Sequence, residues 1–265
     1  MLGALSSAGT DGIALVTAIE RLEPGDARAP QEWLAELRAR ERAPADRPFV
    51  YVDMVASVDG RAAIEGRTQA LGSATDTLLL TELRALADAV LIGSGTLRAE
   101  GYGRLVGNPD RVARRTAADR PPTPTAVILS RSLDVPWDAG LFAAADQPVL
   151  VYTGAGASRP VPATAAPLEL VRLAECTPEA ALRDLRGRGV RALLCEGGPT
   201  LNRALLAAGL VDELFVTLAP LLAGSAVAPR IVEGPDLPDP LGLTLEWVLH
   251  HDDELYLRYH VRHDG

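Results

Sequence analysis

VRALLCEGGPTLNRALLAAGLVDELFVTLAPLLAG, residues 190–224, carries the pattern that decides the fold. Val190 to Gly198 is a short apolar strand running into a glycine turn. Pro199 then stands where a first helical residue belongs, and the helix expected over 199–208 is closed by Gly209. The stretch 212–224 returns to β-type apolar residues. Strand, turn, helix and strand in that order connect members of a parallel sheet, because only a crossover brings the chain back to run the same way.

Working outward, the same grammar recurs. FVYVDMVA (49–56) reads as a strand, and Ser73 with Asp76 three residues on opens a helix through Asp88. AVLIG (89–93) is a buried strand running into Gly93-Ser94-Gly95-Thr96. After the Pro-rich PPTPT come the strands AVILS, PVLVYT and LELVRL, and Thr177-Pro178-Glu179 caps a further helix. LTLEWVLH and ELYLRYHV, joined at Asp252-Asp253, form a hairpin with no helix between them. The expected fold class is α/β, with a mostly parallel central sheet, helices on both faces and an antiparallel C-terminal strand pair.

Bulk properties exclude several functions. A chain of 265 residues, 48% hydrophobic, can bury one large core. Residues 1–47, with a breaker at Pro24-Gly25-Asp26 and a charged helix expected from Gln31 to Arg42, read as an N-terminal extension; 48–265 form the main domain. The extension is expected to pack on the main body or on a partner subunit. A net charge of −9 offers phosphate backbones and anionic membranes no attraction, so neither nucleic acid nor membrane is expected as a partner. Neither a signal peptide nor a long apolar run is present in the sequence, and a cytoplasmic protein is expected. Cys176 and Cys195 form no CxxC pair and read as two reduced, mostly buried thiols. All histidines (His250, His251, His260 and His263) crowd the C-terminus as surface or dimer-contact residues. That distribution argues against a Ser/His/Asp hydrolase and against a metal site.

Two glycine turns are candidates for chemistry: Gly93-Ser94-Gly95-Thr96, and Glu196-Gly197-Gly198-Pro199-Thr200-Leu201. Each follows a buried strand and opens a helix, where glycine admits close backbone approach and the helix offers N–H groups to a phosphate. Two such turns could embrace one dinucleotide. Neither is a Rossmann fingerprint, since Arg98 stands where a third glycine belongs, and no Walker sequence occurs. Ala56-Ser57-Val58-Asp59-Gly60 is either an Asp-Gly turn closed on its own backbone or a carboxylate beside a bound ring. In TLRAEGYGRL (96–105), Glu100 and Arg104 are candidates for a loop over the ligand.

Taken in order, SVDG, LRALADAVLIGSGT, AEGYGRL and CEGGPTLNRALLAAGLVDELFVTLAPLLAG resemble the reductase domain of the bifunctional riboflavin-biosynthesis deaminase/reductase. The resemblance covers roughly 49–262 and implies a dihydrofolate-reductase-like fold, NADPH as hydride donor and a homodimer. It also implies 5-amino-6-(5-phosphoribosylamino)uracil as substrate, its ring-opened ribosyl group being reduced to ribityl. By position it places Ala56, Thr96, Glu100, Ser130 and 198–204 at the cofactor. Thr68, Arg84, Arg104 and Glu196 fall at the substrate, with Arg84 a candidate phosphate contact. Arg131 is the candidate for the adenosine 2′-phosphate, because a guanidinium pairs well with phosphate. Such chemistry suits a body without histidine, since the cofactor carries the hydride and the protein positions it. Asp59 and Glu196 are expected to orient the substrate or relay protons.

The sequence departs from the family on the substrate side. The acidic-acidic-Pro run is Glu100-Gly101-Tyr102, and Ala70 stands where a tryptophan is expected. The HxE and PCxxC zinc motif of the deaminase half is not found, so reduction alone is expected. Reduction of a pterin, or dinucleotide binding without turnover, are the alternatives.

Overall fold

The computed structural model describes residues 25–263. The start of the proposed N-terminal extension, residues 1–24, and the last two residues lie outside the described residues. Among those described, nine strands form one sheet in the order β5-β4-β3-β2-β6-β1-β7-β9-β8. These are β1 (Phe49–Ser57), β2 (Ala89–Gly93), β3 (Thr125–Leu129), β4 (Val149–Gly154), β5 (Leu168–Leu173), β6 (Ala192–Cys195), β7 (Glu213–Ala219), β8 (Leu243–His251) and β9 (Glu254–Val261). Neighbours from β5 to β7 run parallel, whereas β7 with β9 and β9 with β8 pair antiparallel. The mixed sheet follows from the connections: α-helices or longer loops carry the chain back between the parallel strands, and Asp252, at φ 50, turns the final hairpin.

Both faces of the parallel part are covered, which is why its strands read as continuous apolar runs. One face carries α1 (Pro30–Ala35), α2 (Ala74–Leu86) and α3 (Ser94–Ala99) through Leu34, Leu79, Leu83 and Leu97. The other carries α5 (Pro178–Gly187) and α6 (Pro199–Ala207) through Leu182, Leu185 and Leu205. The Ser73 hydroxyl caps α2 by accepting from the N–H groups of Thr75 and Asp76, and Thr177 caps α5.

Two elements differ from expectation. The charged helix expected over Gln31–Arg42 ends at Ala35, because Leu37 and Ala39 turn into the core and Arg42 reaches the buried Glu213 carboxylate. Tertiary burial there overrides helical periodicity. The sequence reading also passed over α4 (Pro109–Ala117), although Asn108 caps it and Pro109 opens it. The buried Arg115 of α4 donates to the carbonyls of Ala85 and Ala87 at 2.9 and 2.6 Å, satisfying the C-terminal end of α2.

Candidate active site

From β2 the chain leaves through α3 and α4 toward β3, whereas from the adjacent β6 it leaves through α6 toward β7 on the other side. Connections that diverge from neighbouring strands open a crevice at their carboxyl ends, the usual ligand position in an open α/β sheet. A cleft of about 820 Å³ lies there.

The two glycine turns meet at this crevice. The Gly93 N–H donates to the Gly197 carbonyl at 2.6 Å. A Cβ on Gly93 would come within 2.9 Å of the Gly198 nitrogen, and one on Gly198 within 2.9 Å of Thr96 Oγ1. Glycine is therefore required by backbone contact at Gly93. Gly95 is different: a Cβ there would meet nothing within 4 Å, so its face is open space on the cleft. Neither α3 nor α6 has a side-chain cap, whereas α2, α4 and α5 do. The first-turn N–H groups of the nine-residue α6 are thus open to a ligand, with the positive end of the helix behind them.

Glu196, at the lip of β6, lines the cleft and is 7% exposed. Arg84 of α2 grips its carboxylate through Nε and NH2, both at 2.6 Å, and the Tyr102 hydroxyl donates at 2.7 Å. Burial pushes the Tyr102 phenol well above its ordinary pKa, and the Glu196 charge adds to the shift. Burial alone would lower the Arg84 pKa, but the Glu196 carboxylate outweighs it and raises the value. Asp53 of β1 sits close enough for Glu196 and Arg84 to act on it. Burial, with the charges of Asp76 and Glu196, raises its carboxyl well above the usual range.

Of the residues singled out from sequence, Gly93, Gly95, Thr96 and Glu100 line the cleft on one side, and Gly198, Pro199, Thr200 and Leu201 on the other. Thr68 joins them, its N–H donating to the Glu100 carboxylate at 2.8 Å, and so does Arg131 beyond β3. A second cavity of about 680 Å³ continues past Arg131, Ser132 and Cys176 over the ends of β4 and β5. Arg159, on its wall, shares Asp134 with Arg98, each at 3.4 Å.

Several candidates stand elsewhere. Asp59 does not reach the cleft. Its carboxylate accepts from the Ser57 hydroxyl at 2.6 Å and from the N–H groups of Ala223 and Gly224 at 2.9 and 2.8 Å. Those bonds, Ser57 foremost, lower its pKa to about 2 and make it a clasp between the β1 turn and the loop after β7. Gly60, at φ 78, makes the turn after Asp59, but the carboxylate closes on the Ser57 hydroxyl and a distant loop. Arg84 is turned into the pair with Glu196, and Arg104 pairs with Asp146 at 3.2 Å. Ala56 is buried in β1, and the buried Ser130 hydroxyl donates to the Asp134 carbonyl at 3.4 Å. Gly197 faces Met54 and Asn202, each of which a Cβ would crowd, at 3.1 and 3.3 Å.

Sequence reading missed Met54, Ser132, Cys176 and Pro229 on the cleft wall. Their wall positions depend on contacts between distant segments, and no local motif signals them. Within the stretch 198–204 expected at the cofactor, the buried Asn202 instead donates to the Ile231 carbonyl at 2.9 Å and holds the loop after β7 against the second glycine turn.

This chain belongs to the RibD C-terminal domain family, whose model matches residues 48–256. It is 29% identical over 191 residues to the 2,5-diamino-6-ribosylamino-4(3H)-pyrimidinone 5′-phosphate reductase of Archaeoglobus fulgidus, covering 71% of this chain and 87% of that protein. The riboflavin biosynthesis protein RibD of Mycobacterium tuberculosis is 30% identical over 226 residues, which span 85% of this chain and 55% of that one. Among solved structures, a pyrimidine reductase-like protein from Corynebacterium diphtheriae superposes with a TM-score of 0.71 at 26% identity. That match covers 86% of this chain and 99% of the other. The mostly parallel sheet with its antiparallel C-terminal strands is thus the fold shared with that reductase-like protein. No described helix is long and apolar enough to cross a membrane.

Proposed function

We propose that this chain is an NADPH-dependent reductase of a ribosylamino-pyrimidine 5′-phosphate. The substrate is 5-amino-6-(5-phosphoribosylamino)uracil or the closely related diaminopyrimidinone named for the archaeal relative. The observation that carries this reading is the contact of the two glycine turns at 2.6 Å on one cleft, beside the uncapped start of α6. The residues fit a dinucleotide. Gly95 leaves room for close approach, α6 offers N–H groups to a pyrophosphate, and Arg131 stands where the cleft runs into the second cavity.

When bound, the cofactor supplies a hydride to the carbon it faces. The chain's own groups position and exclude. Pro199, Thr200 and Leu201 form one wall, Ala99 and Glu100 the other, and Met54 lies on the sheet floor between them. Glu196, held by three hydrogen bonds, accepts from a donor on the pyrimidine. Arg131 selects the phosphorylated dinucleotide. A homodimer is the assembly we assign; the β8 edge exposes Leu243 and Leu245 in keeping with a subunit contact.

Pterin reduction is the second reading, favoured by one feature: the arginines considered for the substrate, Arg84 and Arg104, are both engaged by carboxylates. Purified protein supplied in turn with the uracil, the diaminopyrimidinone and dihydrofolate, with NADPH oxidation followed by absorbance, separates the readings. Turnover of either pyrimidine supports the first, and turnover of dihydrofolate alone the second. Arg131→Gln is expected to cut the NADPH-over-NADH preference about tenfold, the worth of one charge-assisted phosphate contact. An unchanged ratio would remove Arg131 from the assignment.

A further inference from the structure

Glu100-Gly101-Tyr102 places a phenol directly on the cleft carboxylate. A carboxylate offers about four lone-pair positions. On Glu196, Arg84 Nε takes one on Oε1, while Arg84 NH2 and the Tyr102 hydroxyl take two on Oε2. One position, on Oε1, is left unfilled, on a residue that lines the cleft. The Arg84 guanidinium also lies 5.4 Å from the centre of the Tyr102 ring, so the three side chains form one packed unit.

The loop carrying Tyr102 is fixed on two sides. Its neighbour Glu100 accepts the Thr68 N–H at 2.8 Å, and the Tyr102 carbonyl abuts Gly140 so closely that a Cβ there would come within 2.9 Å. Burial beside a carboxylate keeps the phenol protonated and hence a constant donor. Arg84 spends the Nε edge of its guanidinium on Glu196 and is not among the residues that line the cleft.

We propose that Tyr102 is a positioning residue that sets substrate specificity. Together with Arg84 it holds the Glu196 carboxylate with a single open acceptor position, which selects a heterocycle presenting an N–H or amino donor there. The inference rests on the reductase reading. It makes Arg84 a brace for Glu196 instead of a contact to the substrate's phosphate.

The test uses wild type, Tyr102→Phe, Arg84→Lys and the double variant, with steady-state kinetics on both pyrimidine phosphates and NADPH affinity from nucleotide fluorescence. Tyr102→Phe is expected to raise KM for the pyrimidine about tenfold, the worth of a hydrogen bond to a charged acceptor, with kcat and NADPH affinity within about twofold of wild type. Because both braces act through one carboxylate, the double variant should lose less than the product of the single losses. Gly140→Ala, which presses on the Tyr102 carbonyl from outside the cleft, should raise KM with the same selectivity and serves if Tyr102→Phe folds poorly. A Tyr102→Phe KM within about twofold of wild type, a matching loss of NADPH affinity, or multiplicative losses in the double variant would overturn the proposal alone. Wild-type protein that turns over neither pyrimidine would overturn the pyrimidine-reductase reading and this inference with it.

Discussion

Adding one methyl group at Gly95 separates what the fold needs from what the ligand needs. Gly95 lies in the first turn of α3, and a Cβ there meets no atom within 4 Å, so alanine fits the protein itself. Replacing glycine by alanine in a helix reduces the freedom of the unfolded chain and stabilises by about 0.5–1 kcal/mol. Phosphate oxygens bonded to backbone amides sit at about 2.9 Å. A methyl carbon needs roughly 3.5 Å to its neighbours, so it displaces such an oxygen. Loss of one charge-assisted hydrogen bond, about 1.5–3 kcal/mol, corresponds to roughly a tenfold to hundredfold weaker dinucleotide. Gly95→Ala should therefore unfold at equal or higher urea concentration than wild type while binding NADPH at least about tenfold more weakly by fluorescence titration. Gly93→Ala is the control: its methyl would press on the Gly198 nitrogen at 2.9 Å, so stability itself should fall. Wild-type NADPH affinity in a folded Gly95→Ala protein would refute the placement of the dinucleotide.

Two further expectations concern residues around the cleft. Asp59→Asn should retain hydride transfer but loosen the loop after β7, seen as faster proteolysis between residues 220 and 242; abolished turnover in a folded variant would return Asp59 to the chemistry. The sign of its pH effect follows from a folded pKa lowered to about 2 against an ordinary value of about 3.9: its contribution is full above the ordinary value and lost as pH falls toward 2. Wild type and variant should differ in stability at neutral pH and converge in strong acid. Cys195 is fully buried with its thiol pushed up to about 12, whereas Cys176 lines both cavities, so a disulfide reagent should modify Cys176 first and NADPH should slow that reaction. Labelling indifferent to NADPH would place the nucleotide elsewhere.

Local signals were enough for most elements and for the two glycine turns. The β1, β2 and β5 runs, the Ser73 and Thr177 caps, and the Gly209 stop at φ 64 all act within a few residues of chain. Such signals are written in neighbouring side chains, as are the strand-to-helix bends that present backbone N–H groups. The family resemblance then assigned the cleft its chemistry.

Partner choice among distant polar groups was decided only in three dimensions. From sequence Asp59, Arg84 and Arg104 carry the same charges as cleft residues. The fold spends Asp59 on Ala223 and Gly224, Arg84 on Glu196, and Arg104 on Asp146. Tyr102 was visible only as a departure from a motif; its bond to Glu196 spans 94 positions of chain. A charged side chain takes whichever partner the packed chain brings within about 3 Å. That distance is set by the sheet order and by the loops over its carboxyl edge, and no local pattern encodes either.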